Sequence, residues 1–137
     1  MKKNERHKKT AESMTEIRIF NLSAPLEHPI TANYCSSFLC RLRGLSFHRK
    51  IPNHWGCLLV QERENRIESS IHMLFMFCDL TVVWIDSTLS VVDKTLAKSW
   101  RLSYKPKQPA RFVLELAAAH MFDFNIGDQL KFEQNKV

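Results

Sequence analysis

The chain has 137 residues, 45% hydrophobic and 25% charged, with three glycines and four cysteines. That is the size and composition of one globular domain with its own core, and it excludes collagen-like, low-complexity and disulfide-framework chains. The net charge of +6 admits a polyanionic partner, but much of the excess sits in the first nine residues, "MKKNERHKK".

Residues 1–14 read as a disordered basic tail, dispensable for folding, with Met14 as an alternative start. Residues 15–134 read as a single β-rich domain. No apolar run follows the N-terminal lysines, so no secretory signal is recognised and the cytoplasm is the expected compartment. Glu16 to Leu22 alternates and predicts a strand with Ile17, Ile19 and Asn21 on one face. "SAPLEHPITAN" holds two prolines and reads as loop. "YCSSFLCRLRG" predicts a short helix, with Arg41 and Arg43 in its last turn and Gly44 as its C-terminal cap. "FHRKIPNHW" reads as loop, "GCLLV" as strand and "QERENRIESS" as a charged connection. Cys35, Cys40, Cys57 and Cys78 show no zinc-ligand spacing and read as buried reduced thiols. A five-residue step would turn Cys35 and Cys40 to different helix faces.

The run from Ile71 to Ile85 is almost wholly apolar. It is too short to span a bilayer as a helix and contains Asp79, which is expensive in lipid. Its second half, "LTVVWI", is β-branched and aromatic and apolar on both faces, so it predicts a strand buried on both sides. The whole run predicts one or two central strands, bent near Cys78 and Asp79. "IDSTLSVVD" predicts a hairpin. "KTLAKSWRLSYKPKQPA" reads as a long irregular segment, "RFVLEL" as a strand, "AAAHMFDFN" as a short helix and "IGDQLKF" as a turn into a last strand. The fold class is mainly β with a few short helices (α+β), in a small compact barrel-like or sandwich-like single domain.

Several motifs occur in a definite order. R-x-x-G-L precedes G-x-L-L, then S-I-H-M-x-F-M-F running into V-V-W-I-D, then V-V-D, W-R, P-A-R-F-V-L-E-L-A-A and G-D-Q-L. Between Arg41 and Phe132 the chain resembles an uncharacterised prokaryotic family, domain of unknown function one hundred and ninety-two. All three glycines, Gly44, Gly56 and Gly127, fall on its motif positions. The resemblance implies a compact β-rich fold with short helices and implies no activity. The chain departs from the family pattern at Thr81, where relatives carry Asp, and at Leu89 and Ala119, where they carry Gly. The turns at Leu89 and Ala119 must therefore differ or carry strain.

No catalytic residue, cofactor or metal is expected. Asp86 and Asp128 read as turn-builders. His72 reads as a structural histidine among apolar neighbours, and Cys57 in "HWGCLL", the one nucleophile that could form a dyad with it, as a core filler. The surface candidate is residues 94–111, with six basic residues, no acid, and Trp100 and Tyr104 interleaved. Basic and aromatic side chains together suit phosphate contacts and ring stacking; the blander alternative has Trp100 filling the core. The expected function is a non-enzymatic binding or interaction module with Trp100, Arg101, Arg111 and His72 as speculative ligand-binding residues. Its partner would be an anionic ligand or nucleic acid held weakly, with no membrane span. The alternative is a small enzyme or small-anion-binding protein with a cleft near His72, Arg101 and Arg111.

Overall fold

The computed structural model of the protein describes residues 15–134. The expected tail, residues 1–14, lies outside them. Seven strands form one sheet: β1 (Glu16–Asn21), β2 (Ile30–Cys35), β3 (Trp55–Asn65), β4 (Leu80–Ile85), β5 (Val91–Ala97), β6 (Ala110–Ala117) and β7 (Leu130–Gln134). Their order across the sheet is β5-β4-β6-β3-β2-β1-β7, curled into a half-barrel. One helix, α1 (Phe38–Arg43), and a 3₁₀ helix, Ala118–Phe122, complete the elements. The domain is mainly β, as the patterning predicts.

β4 shows why. All six of its residues are buried, so it is a central strand with two apolar faces. Leu80, Val82 and Trp84 join one core cluster with Cys57, Leu59 and Val113. Val83 and Ile85 join a second with Leu58, Leu114, Phe124 and Leu130. Each fully buried large side chain stabilises the fold by about 1.5–3 kcal/mol. The Trp84 indole N–H donates to the Ser69 carbonyl at 2.7 Å, so burial of the ring leaves no orphan donor.

Strand direction decides what covers the first face. β6 runs antiparallel to both β3 and β4, which makes β3 and β4 parallel. β2 and β3 are parallel too, and so are β5 and β6, since β4 is antiparallel to each. Parallel strands cannot be joined by a tight hairpin and need a crossover. Three segments make these crossings: 36–54, 66–79 and 98–109. Leu45 and Ile51 of the first, Ile71, Met73 and Met76 of the second and Tyr104 of the third pack into the same core cluster. All three therefore lie on one face. They are laced together by backbone bonds, Phe47 N–H to the Phe75 carbonyl, Met73 N–H to Arg101, Trp100 N–H to Met73, and a bridge between Ile71 and Tyr104.

Several expectations need correction. The stretch from Ile30 read as loop is β2, recruited by pairing on both edges. "QEREN", read as connection, is the overhanging end of β3 beyond a register shift. Ile71 to Asp79 forms no strand; it is the second crossover, and only the part from Leu80 is β4. Trp100 does not fill the core, since half of its surface is exposed. Cys35 and Cys40 are not reduced thiols but a disulfide with 5.5 Å between Cα atoms. Cys35 ends a strand rather than lying on the helix, so the helical-face argument did not apply to it.

Among the described residues, four other than glycine hold positive φ: Phe47 at 69°, Phe75 at 61°, Leu89 at 63° and Trp100 at 66°. Each such residue costs about 1 kcal/mol or more. Leu89 accepts that strain in the hairpin turn, while Asp86 Oδ1 accepts the Thr88 and Ser90 N–H groups of the same turn. Ala119 avoids strain because the chain there winds into the 3₁₀ helix.

The disulfide closes a short loop, and on chain-entropy grounds it contributes roughly 2 kcal/mol. Thermal unfolding with and without reductant checks this: reduction should lower the melting temperature by several degrees, and Cys35→Ala should match the reduced wild type and no longer respond to reductant.

A cavity over a buried carboxyl group

Between the first and second crossovers lies a cavity of about 400 Å³. Its walls include Arg41, Leu42 and Ser46 on one side and Ser70, His72 and Met76 on the other, and Glu115 lies at its base. β6 brings Glu115 there. Alternation along the strand puts Val113 and Glu115 on the crossover face and Leu114 and Leu116 on the other. Glu115 pairs with Cys57 of β3 on one side and Val82 of β4 on the other, in the middle of the sheet.

Burial without a cation pushes the Glu115 carboxyl up to about 7, although a bond from the Leu45 N–H pulls the other way. Its Oε2 has no hydrogen-bond partner. Gly44 makes room for it. A Cβ at position 44 would stand 2.8 Å from Oε2, and the backbone there, at φ +47°, suits glycine. Gly56 does the same for the strand itself, since a Cβ there would meet the Glu115 carbonyl oxygen at 2.4 Å. The cap of α1 and the close approach of β3 to β6 are thus both built around this one residue.

His72 supplies a second orphan atom. Its Nε2 lies 3.0 Å from the Leu42 carbonyl. A carbonyl only accepts, so Nε2 carries the proton and, in the neutral ring, Nδ1 presents a lone pair. Nδ1 is buried and has no partner. With the ring neutral and Glu115 ionised, the cavity holds two buried acceptors without partners among the described residues. Arg41 is committed by its Nη1 to the Val60 carbonyl at 3.3 Å, and Arg43 is exposed at the rim.

Sequence reasoning singled out His72 but assigned no role to Glu115, which it read only as part of a strong strand. The signal was one carboxylate in a strand otherwise apolar at its centre, "FVLEL". The proposed cleft of His72, Arg101 and Arg111 does not form. His72 lines the cavity, and neither arginine does. Arg101 is exposed on the third crossover, while Arg111 Nε donates to the Gln61 carbonyl and its guanidinium lies over the Phe112 ring. Nor do Cys57 and His72 meet. Cys57 lines a neighbouring cavity of about 360 Å³, beyond Gly44 and Leu45, and burial, then the Glu115 charge, pushes its thiol up and keeps it protonated. Among the described residues no three metal-type ligands cluster. No helix there is long and apolar enough to cross a membrane.

The raised carboxyl makes stability fall with pH. The folded chain keeps the Glu115 proton after the unfolded chain has released it, so stability declines between about pH 4.5 and pH 7 and is level above. The difference amounts to about 3 kcal/mol. Glu115→Gln, which keeps an acceptor for Leu45, should flatten this part of the profile and exceed the wild type in stability at pH 8. Denaturant titrations at pH 5 and pH 8 check it.

The Uncharacterized ACR family, DUF192, matches residues 20–132. A UPF0127 protein of Thermococcus gammatolerans is 38% identical over 71% of this chain and 63% of its own length. Another from Thermococcus kodakarensis is 44% identical over 58% of this chain and 48% of its own. The chain thus spans about half to two thirds of these relatives. A UPF0127 protein of Pyrococcus furiosus is 30% identical over 85% of this chain and 98% of its own. Among solved structures, a Sinorhizobium meliloti protein described as a candidate transcription regulator superposes with a TM-score of 0.74 at 18% identity, over 88% of this chain and 94% of its own. A protein of unknown function from Novosphingobium aromaticivorans gives 0.72 at 15%, over 85% and 83%. At such identities the two structures carry the fold alone. From the profile match and the archaeal relatives together, the chain belongs to the DUF192 family, whose function is uncharacterised.

Proposed function

We propose that this protein is a non-enzymatic binding module whose site is the cavity over Glu115, and that its ligand is a small organic molecule bearing an amine or amidine. The single observation behind this reading is the pair of buried, unpartnered acceptors, Glu115 Oε2 and His72 Nδ1, lining one cavity. A buried polar atom without a partner costs about 1–3 kcal/mol, and a ligand with N–H donors offsets that for both atoms at once. A cationic donor also draws the proton from Glu115, which stands near its midpoint at neutral pH. Met73, Met76 and Leu80 supply an apolar wall for the rest of the ligand. Cys57, the other candidate for chemistry, is a protonated thiol in a different cavity, which favours binding over nucleophilic catalysis.

A thermal-shift series with small amines, guanidines and amides against matched carboxylates tests the reading. Saturation at about 100 times Kd stabilises a protein by about 2.7 kcal/mol. The cationic compounds should stabilise the wild type more at pH 8 than at pH 6 and should lose their effect on Glu115→Gln. Stabilisation by carboxylates alone, unchanged by that substitution, would place recognition at the rim arginines and end this assignment.

A cytoplasmic location is part of the same proposal, and the disulfide gives its test. Cytoplasmic thiols are held reduced in most organisms. Thiol trapping in intact cells with a mass-tagged alkylator decides it: in the cytoplasm Cys35 and Cys40 should be labelled despite the bond they form in the structure, and a fully bonded pair overturns the cytoplasmic assignment in favour of an oxidising compartment.

A further inference from the structure

Outside the cavity, the crossover layer presents an apolar surface. Phe47, Phe75, Phe77 and Trp100 are each about half exposed, at 59%, 47%, 52% and 50%, and Leu102 is 74% exposed. The rings form one cluster. Phe47 stacks on Phe75 at 5.1 Å, and Trp100 stands edge-on to Phe75 at 5.5 Å and to Phe77 at 6.0 Å. Each crossover contributes: Phe47 the first, Phe75 and Phe77 the second, Trp100 the third. Beside them α1 buries none of its residues and turns Phe38, Leu39 and Leu42 to solvent.

Ring contacts between crossovers account for the clustering. They do not account for the exposure, or for the backbone. Three of the four non-glycine residues at positive φ are Phe47, Phe75 and Trp100. Strain of this kind persists where surrounding structure imposes it and gathers at functional surfaces. Large apolar side chains exposed as a contiguous cluster, rather than singly, mark interaction surfaces.

The charges around the patch are positive. Arg43 on α1, Arg49 and Lys50 after Phe47, and Arg101 between Trp100 and Leu102 are all exposed. The acid within the patch, Asp79, is taken up by Lys98 Nζ at 3.1 Å and the Ser99 N–H. Glu62 and Glu68 stand at the cavity wall, and Glu68 is paired with Arg63. We infer that this face docks on an anionic lipid bilayer, with the aromatic cluster and leucines entering the headgroup–acyl boundary and the arginines meeting lipid phosphates. Half-exposed Phe, Trp and Leu ringed by Arg and Lys is the chemistry of an interfacial anchor. A nucleic acid fits the patch less well. The rings already pair with one another, and three of the exposed apolar residues, Leu39, Leu42 and Leu102, have no ring on which a base could stack.

The test uses the full chain with vesicles of neutral phosphatidylcholine, alone or with a third of anionic phosphatidylglycerol. The wild type should co-sediment with the mixed vesicles and hardly at all with the neutral ones. In a Trp55→Phe background, which removes the third, half-buried indole from the signal, brominated acyl chains should quench Trp100 and leave the buried Trp84 bright. Charge reversal of the exposed arginines confuses attraction with repulsion, so Arg43→Gln with Arg101→Gln is preferred; it should lower partitioning roughly 30-fold, at about one Lys or Arg per fivefold step. Asparagine accepts positive φ, so Trp100→Asn and Phe75→Asn relieve backbone strain while removing the ring. These variants should keep or raise the melting temperature and lose vesicle binding. No binding of the wild type to anionic vesicles at low salt overturns the inference. So does a homodimer in light scattering that Trp100→Asn dissociates, or retention of short single-stranded oligonucleotides without vesicle binding. Should a variant fail to fold, bromolipid quenching of Trp100 in the wild type decides alone: no quenching refutes it.

Discussion

The direction of one strand governs this molecule. β6 runs antiparallel to both of its neighbours, so β3 and β4 must run parallel, and the chain has to cross over to join them. The same holds for β2 with β3 and for β5 with β6. With all three crossings on one face, that face cannot be a flat solvated sheet. It becomes a covered layer, and irregular segments laid side by side do not close without gaps. The cavity over Glu115 is the gap between two of them. The aromatic cluster is where all three meet on the outside.

The two features divide the layer by depth. Inward, Met73, Met76, Leu45 and Tyr104 anchor the segments to the sheet. At the middle level backbone bonds tie segment to segment. Outward, rings in strained conformations remain half in water. A chain selected for stability alone would place Asn or Gly at Phe47, Phe75 and Trp100 and a neutral residue at 115. Keeping aromatic rings at positive φ and a carboxyl group in an apolar floor lowers stability twice, at two adjoining places.

Much of the fold was legible because burial writes itself into alternation. β1 alternates, while β4 and most of β6, buried on both faces, read as central strands. β2 was not legible. Ala32 is small, Asn33 and Tyr34 are polar, and Pro29 precedes it, so nothing local marks a strand whose two ladders are both supplied by distant segments. The Ile71–Asp79 run misled for the opposite reason. It is apolar nearly throughout, as a buried strand would be, but its buried residues, Ile71, Met73 and Met76, and its exposed ones, Phe75 and Phe77, follow no two-residue period, because the segment is a coil pinned between neighbours. Glu115 escaped notice because its significance depends on Gly44 and His72, which are far from it along the chain. Basic and aromatic content drew attention to residues 94–111, where Trp100 is a half-exposed ring, but the spread of Arg101 and Arg111 to different surroundings could not be read from composition.

The place of β6 also bears on how the protein is made. β3 and β4 lie on either side of it in space, yet both precede it in the chain. Until residues 110–117 leave the ribosome, the inner edges of both strands stand open. β4 has only its hairpin partner β5 to pair with, and both of its faces are apolar. For that interval the nascent chain offers an uncapped, hydrophobic strand edge, the kind of template on which other chains add. The last long strand to be synthesised is the one that closes the sheet, so a pause in translation just before it would be the moment of greatest risk of aggregation.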